Sequence, residues 1–283
     1  MIKRVMLVRH VAKAEALVAA QIAKREFDRR GIEVVAEHDE VNGVDMVLAL
    51  GGDGTILAAA EHARHYDAPL LGVNMGHMGF LAEVHASGIA NVVTRLAQDD
   101  YVTDTRMTLD VTVRLPDGTQ KSSWALNDAV IAHTDLAHPV NLALAVDGQD
   151  VSTYGADGII FATPTGSTAY NFAAGGPVVW PEAEAIVMTP LAAHGLFARP
   201  MVMGPHSRIE ALVLEEPRSA PEVWCDGLRK IAIPAGGSVV ATKGERSVRL
   251  IRLDSAPFAT RLVRKFNLPV RGWRSGQRTA EEQ

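Results

Sequence analysis

The chain is 283 residues long, enough for one large or two ordinary domains. It is 47% hydrophobic and 22% charged, with a formal net charge of −5, which fits a soluble globular chain and argues against nucleic acid as the main partner. Its single cysteine, Cys225, excludes an intrachain disulfide and fits a reducing cytoplasm, and no apolar run nears the roughly 18 residues of a membrane span.

Residues 5–8 read as a strand, with no signal-peptide pattern around them. Residues 12–30 have helical composition, with Ala16, Ala20, Ala23 and Phe27 on one face, and Gly31 stops them. Residues 32–36 and 46–50 are further strands. Gly51-Gly52-Asp53-Gly54-Thr55 follows, then a helix to about residue 66 and a fourth strand at 69–73. These strands are continuous apolar runs, so both faces of their sheet are covered. That predicts an open parallel sheet with helices on each side, and ligands beyond the carboxyl ends of its strands.

The stretch Gly51–Thr55 lies at that edge. Glycines let a backbone approach a ligand closely, and free amides ahead of a helix make an anion site. A carboxylate among such amides would repel phosphates, so Asp53 needs a reason, such as taking a proton from a hydroxyl or holding a metal ion. Phosphoryl transfer to an alcohol is the first hypothesis. A plain tight turn with Asp53 as helix N-cap is the alternative. A second loop, Gly72 to Leu81, contains Asn74, Gly76 and Phe80 and leaves from the same edge, or else is a connection without a ligand.

From about Tyr101 the pattern changes. Leu109, Val111, Val113 and Leu115 alternate with polar residues, and Pro116-Asp117-Gly118-Thr119 is a hairpin turn. Leu142, Leu144 and Val146, then residues 159–162, 239–242 and 248–253, add strands, which predicts an antiparallel sandwich. The division expected is an α/β domain over residues 1–100 and a β-sandwich over 101–256. Residues 271–283 are polar and read as a frayed end.

In the second part Asn127-Asp128 interrupts an apolar stretch. An amide beside a carboxylate can read sugar hydroxyls, and a bulge or turn is the alternative. The run from Asp157 to Tyr170 carries Thr163, Thr165, Ser167 and Thr168 in one loop, more hydroxyls than a structural turn needs. His62 and His65 lack a carboxylate cluster and do not read as a metal site. Arg261, Arg264 and Lys265 read as the solvated face of a short helix, and Cys225 as a packed residue rather than a nucleophile.

These motifs together resemble the bacterial NAD kinases. The likeness rests on Gly51–Thr55, the Gly72 to Leu81 loop, Asn127-Asp128, the Asp157 to Tyr170 block, Gly175-Gly176-Pro177, Asp226-Gly227 and the tail through Phe266. Gly-Gly-Asp-Gly-Thr alone is shared with diacylglycerol and sphingoid kinases; the Thr-Pro-Thr-Gly-Ser-Thr-Ala-Tyr block is more specific. The resemblance implies an α/β domain plus a β-sandwich, with residues 257–283 returning to the first domain. It implies transfer of a phosphoryl group from ATP or polyphosphate, with Mg²⁺, to the 2′-hydroxyl of the adenosine ribose of NAD.

By position, Asp53 would be the proton acceptor, with Gly51, Gly52, Gly54, Thr55, Asn74 and Gly76 around the phosphates and Phe80 lining the pocket. Asn127 and Asp128 would bind ribose hydroxyls, and Asp157 would lie at the nicotinamide end. Thr168, Ala169 and Tyr170 would hold the adenine side, and Thr165 and Ala173 would belong to the rest of the nucleotide site. Ala173 stands where many members have Ser, and Gly155 where many have Arg. No metal ligand set is implied on the protein, and a cytoplasmic dimer or tetramer is expected by analogy. A lipid kinase of the same build would need an apolar pocket, against which the Thr-rich loop argues. A non-catalytic NAD(P)-binding regulator could dispense with Asp53.

Overall fold

The computed structural model describes residues 2–76, 79–85, 88–133, 138–195, 198–214, 221–254 and 256–269. His77 and Met78 of the second glycine loop, and the polar end from residue 271, lie outside the described residues. The chain forms two compact units. One holds residues up to Ala59, Ala68–Thr103 and those from Leu250 onward; the other holds Ala60–Asp67 and Asp104–Arg249.

The elements run β1 (Arg4–Arg9), α1 (Ala14–Asp28), β2 (Glu33–Ala36), β3 (Met46–Gly51), α2 (Asp53–His65), β4 (Leu70–Asn74), β5 (Val84–His85), α3 (Ile89–Ala97) and β6 (Val102–Arg106). Antiparallel strands follow: β7 (Leu109–Arg114), β8 (Gln120–Ala125), β9 (Asp128–Ala132), β10 (Val140–Val146), β11 (Gln149–Ala156) and β12 (Gly158–Ala162). A short α4 (Tyr170–Ala173) precedes β13 (Ile186–Leu191), β14 (Met201–Met203), β15 (Ile209–Val213), β16 (Glu222–Cys225), β17 (Arg229–Ala232) and β18 (Ser238–Lys243). The last elements are β19 (Val248–Arg252) and α5 (Phe258–Phe266).

The first sheet has the order β2-β1-β3-β4-β19-β6, with β5 pairing β4. Its registered pairs are parallel. Every residue of β3 and β4 is buried, which is why both strands are apolar runs up to the polar Asn74 that ends β4. α1 buries Ala16, Ala19, Ala23 and Phe27, so Ala19 rather than Ala20 completes the expected face. α3 buries Ile89, Val92, Val93 and Leu96 in the same core. This is the open α/β sheet the apolar runs predict, with one difference. The strands at 102–106 and 248–252, which read as part of the antiparallel region, belong to this sheet, and β19 runs parallel to β4. The chain past residue 250 thus returns to the first unit.

The second unit is a β-sandwich of two six-stranded sheets, β11-β10-β15-β18-β7-β8 and β14-β13-β12-β9-β16-β17. Alternate residues meet in its core, among them Leu109, Val111 and Val113 of β7, Leu142 and Leu144 of β10, and Ile159 and Phe161 of β12. The hairpin turn forms as expected, with Gly118 at φ +85° and the Leu115 N–H donating to Thr119 O at 2.8 Å. Cys225 is buried at the end of β16, and burial pushes its thiol up to about 11, against a nucleophilic role. No helix among the described residues is long and apolar enough to cross a membrane.

Candidate active site

In the first unit, β3 passes into α2 through a single residue, Gly52. Gly52 O accepts the N–H groups of Thr55 at 3.0 Å and Ile56 at 3.1 Å, so Gly52 caps the helix and Asp53 is its first residue. The expectation of Asp53 as N-cap is therefore corrected. Its carboxylate is aimed elsewhere: Oδ2 accepts the Phe80 N–H at 3.2 Å and Oδ1 the Leu81 N–H at 3.3 Å.

None of Gly51, Gly52 and Gly54 has positive φ, so backbone conformation does not explain them. A Cβ on Gly51 would collide with the Thr55 side chain, and one on Gly79 with the Asp53 carboxylate. Among the described residues, Cβ atoms on Gly52 and Gly54 would meet nothing within 4 Å. Those two glycines have no packing reason; they leave open space at a helix N-terminus.

Gly51 pairs with Asn74 across β3 and β4, so the two glycine loops do leave the sheet at one edge. Asn74 is buried and its Nδ2 donates to Gly76 O at 2.7 Å. The half-buried Phe80 ring packs on Phe258 and Phe266 of α5, at 5.9 and 5.7 Å between centroids.

In the second unit, Leu126 and Asn127 bridge β8 and β9, so a turn does occur there. Asp226, buried at φ +54° after β16, holds this turn. Its carboxylate accepts N–H groups from Leu126 at 2.9 Å, Asn127 at 2.7 Å and Asp128 at 3.4 Å. It also pairs with Arg229 at 2.8 Å. Arg229 in turn donates to Trp124 O at 2.8 Å, pairs with Glu61 at 2.6 Å, and lies 4.5 Å over the Trp124 ring.

The turn presents two buried polar side chains. Asn127 Oδ1 has no hydrogen-bond partner among the described residues. Burial, and then the charge of Asp226, push the Asp128 carboxyl up to about 7. Buried groups left in this state are what a site for ligand hydroxyls looks like.

The hydroxyl-rich loop sits on this turn. Thr163 N–H donates to Asn127 O at 2.9 Å, its Oγ1 donates to Leu126 O at 2.6 Å, and a Cβ on Gly166 would run into the Asn127 carbonyl. Ser167 Oγ donates to Pro164 O at 2.7 Å and accepts the Val179 N–H at 2.9 Å. Thr163 and Ser167 are thus spent on structure. The outer residues differ: Thr168 and Ala169 are half-buried, and Tyr170 and Ala173 are exposed. Thr165 is buried, its Oγ1 accepting from Arg106 at 3.4 Å. Asp157 is exposed in the turn before β12, 3.7 Å from His133 Nε2.

The sequence alone assigns Asp226 and Arg229 no binding role; an Asp-Gly pair directly after a strand is the available signal. A cavity of about 430 Å³ opens elsewhere in the first unit, along α1 and the ends of β1 and β2, and none of the expected residues lines it.

Asp128 carries a pH prediction. Its pKa is about 7 folded, against about 3.9 unfolded. Between those values the folded protein binds more protons than the unfolded chain, so stability falls as pH rises from about 4 to 7, by up to about 4 kcal/mol from this group. Asp128→Asn is expected to flatten that fall. Urea midpoints of both ligand-free proteins at pH 5 and pH 8 check it; equal pH dependence in the two would overturn it.

Two family models match the chain. One, described as ATP-NAD kinase N-terminal domain, covers residues 5–101; the other, ATP-NAD kinase C-terminal domain, covers 126–253. An NAD kinase of Nocardia farcinica is 44% identical, over 98% of this chain and 95% of that protein. An NAD kinase of Mycobacterium tuberculosis is 46% identical, over 93% of this chain and 87% of that protein. Among solved structures, yeast NADH kinase complexed with NADH matches with a TM-score of 0.83 at 21% identity, over 94% of this chain and 87% of the other. An NAD kinase from Archaeoglobus fulgidus in complex with ATP gives 0.75 at 23% identity, over 94% of this chain and 100% of the other. These two likenesses speak to fold.

An α/β unit with an acidic glycine turn, a β-sandwich with an acidic buried turn, and these relatives define a kinase, a phosphotransferase. The chain belongs to the NAD kinase family.

Proposed function

We propose that this chain transfers the γ-phosphoryl group of ATP to the 2′-hydroxyl of the adenosine ribose of NAD, forming NADP and ADP. The observation that carries the reading is Asp53, a carboxylate at the first turn of α2 beside two glycines that leave open space. Phosphates favour a helix N-terminus. A carboxylate tolerated there has a use in accepting a proton. In this reading Asp53 takes the proton of the 2′-hydroxyl as its oxygen forms the new P–O bond and the bond to ADP breaks.

Gly51, Gly52, Gly54, Thr55, Asn74 and Gly76 face the phosphates, and Phe80 lines the pocket. Asn127 and Asp128 take ribose hydroxyls, which would satisfy the buried Asn127 Oδ1. Asp157 lies toward the nicotinamide, Thr168, Ala169 and Tyr170 toward the adenine, and Thr165 and Ala173 in the rest of the nucleotide site. Tyr170 is 49% exposed, so its ring is available to pack on a base.

Among the described residues no group of three or more His, Cys, Asp or Glu is arranged to hold a metal ion. Mg²⁺ would arrive on the phosphates of ATP and keep several waters. Bound there, the ion would neutralise charge on the transferring group. Polyphosphate is the second donor to test. A cytoplasmic homo-oligomer is what family membership suggests.

The test is purified protein with Mg²⁺ and NAD, given ATP or polyphosphate, with NADP read by an NADP-specific dehydrogenase. NADP formed with ATP is the expected result. No NADP with either donor would reject the reading.

A further inference from the structure

Glu83 is a fully buried carboxylate that no sequence motif marks. Its Oε2 accepts from Arg252 Nη1 at 2.8 Å and Arg261 Nη2 at 2.8 Å, and its Oε1 accepts the N–H groups of Leu253 and Asp254, each at 3.1 Å. A buried charge is costly unless it is paired and hydrogen-bonded, and this one has four donors. Arg261 therefore does not belong to a solvated helix face as the sequence suggested, whereas Arg264 and Lys265 are exposed.

α5 has nine residues and none of them is fully buried, so it holds its position through a few side chains. Arg261 grips Glu83, while Phe258 and Phe266 grip Phe80. The segment between these grips is short. Phe80 and Leu81 give their N–H groups to Asp53, and the Glu83 N–H is fixed to Gly72 O at 2.8 Å. Both oxygens of the Asp53 carboxylate accept amides of this one segment, at 3.2 and 3.3 Å, so the carboxylate's position depends on where that segment is held.

We propose that Glu83, clamped to Arg252 and to Arg261 of α5, is a positioning residue for Asp53, acting through the Phe80 and Leu81 amides. The proposal rests on Asp53 being the proton acceptor. Catalytic geometry is lost steeply with small displacements, so Glu83→Gln is expected to lower kcat about tenfold or more with KM for NAD and ATP held within about twofold.

Arg261→Gln leaves Glu83 paired with Arg252 and serves if Glu83→Gln does not fold. It is expected to give a smaller loss, which Arg261→Lys restores in part. The deciding comparison is the Asp53→Asn background, where Glu83→Gln and Arg261→Gln should have no further effect on residual turnover, the signature of coupled residues. A multiplying loss in both backgrounds, as a merely structural residue would give, overturns the proposal. So does normal kcat in both variants while Asp53→Asn is impaired. Normal turnover in Asp53→Asn itself removes the proton-acceptor reading instead.

Discussion

Asp53→Asn is expected to lower turnover by at least about a hundredfold while leaving NAD bound, because general-base catalysis contributes roughly 10²- to 10⁴-fold. The substitution keeps the shape of the side chain and removes the basic oxygen. It also changes the local hydrogen bonding. Asp53 accepts two amides, from Phe80 and Leu81. Asn can accept one, and turns its NH₂ toward the other, leaving a donor facing a donor. That mismatch costs about 1–3 kcal/mol of stability. The variant should therefore melt below the wild type yet fold. Steady-state kinetics should find the loss in kcat with KM little changed, as for an interaction made in the transition state. Turnover within a few-fold of wild type would sink the role given to Asp53.

The second large effect is on Asp226. Asp226→Ala would strip the acceptor from the N–H groups of Leu126, Asn127 and Asp128 and leave Arg229 without one of its carboxylates. Breaking a buried pair typically costs about 3–5 kcal/mol. We expect a loss of that order in urea unfolding, and a weaker NAD complex by calorimetry, since Asn127 and Asp128 lose the anchor that aims them. The Asp128 carboxyl should also titrate lower in this variant, because the Asp226 charge helps to raise it. Stability within about 1 kcal/mol of wild type would mean that the turn is held by Thr163 and Gly166 alone.

Much of the fold follows from local pattern. The apolar runs of β3 and β4 and the alternation of β7 specify parallel and antiparallel environments directly, because side-chain period reports which faces are buried. β19 defeats that logic. Val248–Arg252 has two polar residues among three apolar ones, yet it lies beside β4 in the parallel sheet, and Arg252 is buried there by Glu83. A strand whose charge is neutralised by a residue distant in sequence cannot be told from a half-exposed one by periodicity.

The site divides in the same way. The acidic glycine turn and Asn127-Asp128 are legible because a polar residue interrupts apolar sequence. Asp226 stands out only as part of an Asp-Gly pair, and its role is not legible, because that role lies in three amides about a hundred residues away in the chain. The glycines of residues 51–54 stand out in sequence for a reason the structure revises: Gly51 avoids the Thr55 side chain, and Gly52 and Gly54 leave room rather than supply a left-handed backbone. The hydroxyls of the 163–168 loop are a mixture, with Thr163 and Ser167 consumed internally.

The neighbouring positions of β6 and β19 bear on how the chain folds. The first sheet is left through one of these strands and regained through the other, so the sandwich is an insertion whose entry and exit strands are adjacent. Leu70 can pair with Leu250 only after the whole insertion has been synthesised. Left as open coil, that span would impose the slow, non-local closure typical of high contact order. An insertion that folds first brings its own ends together and shortens the effective loop. The order of events that costs least entropy is therefore sandwich before the pairing of β19 with β4, while β1 to β4, which pair among themselves, need not wait.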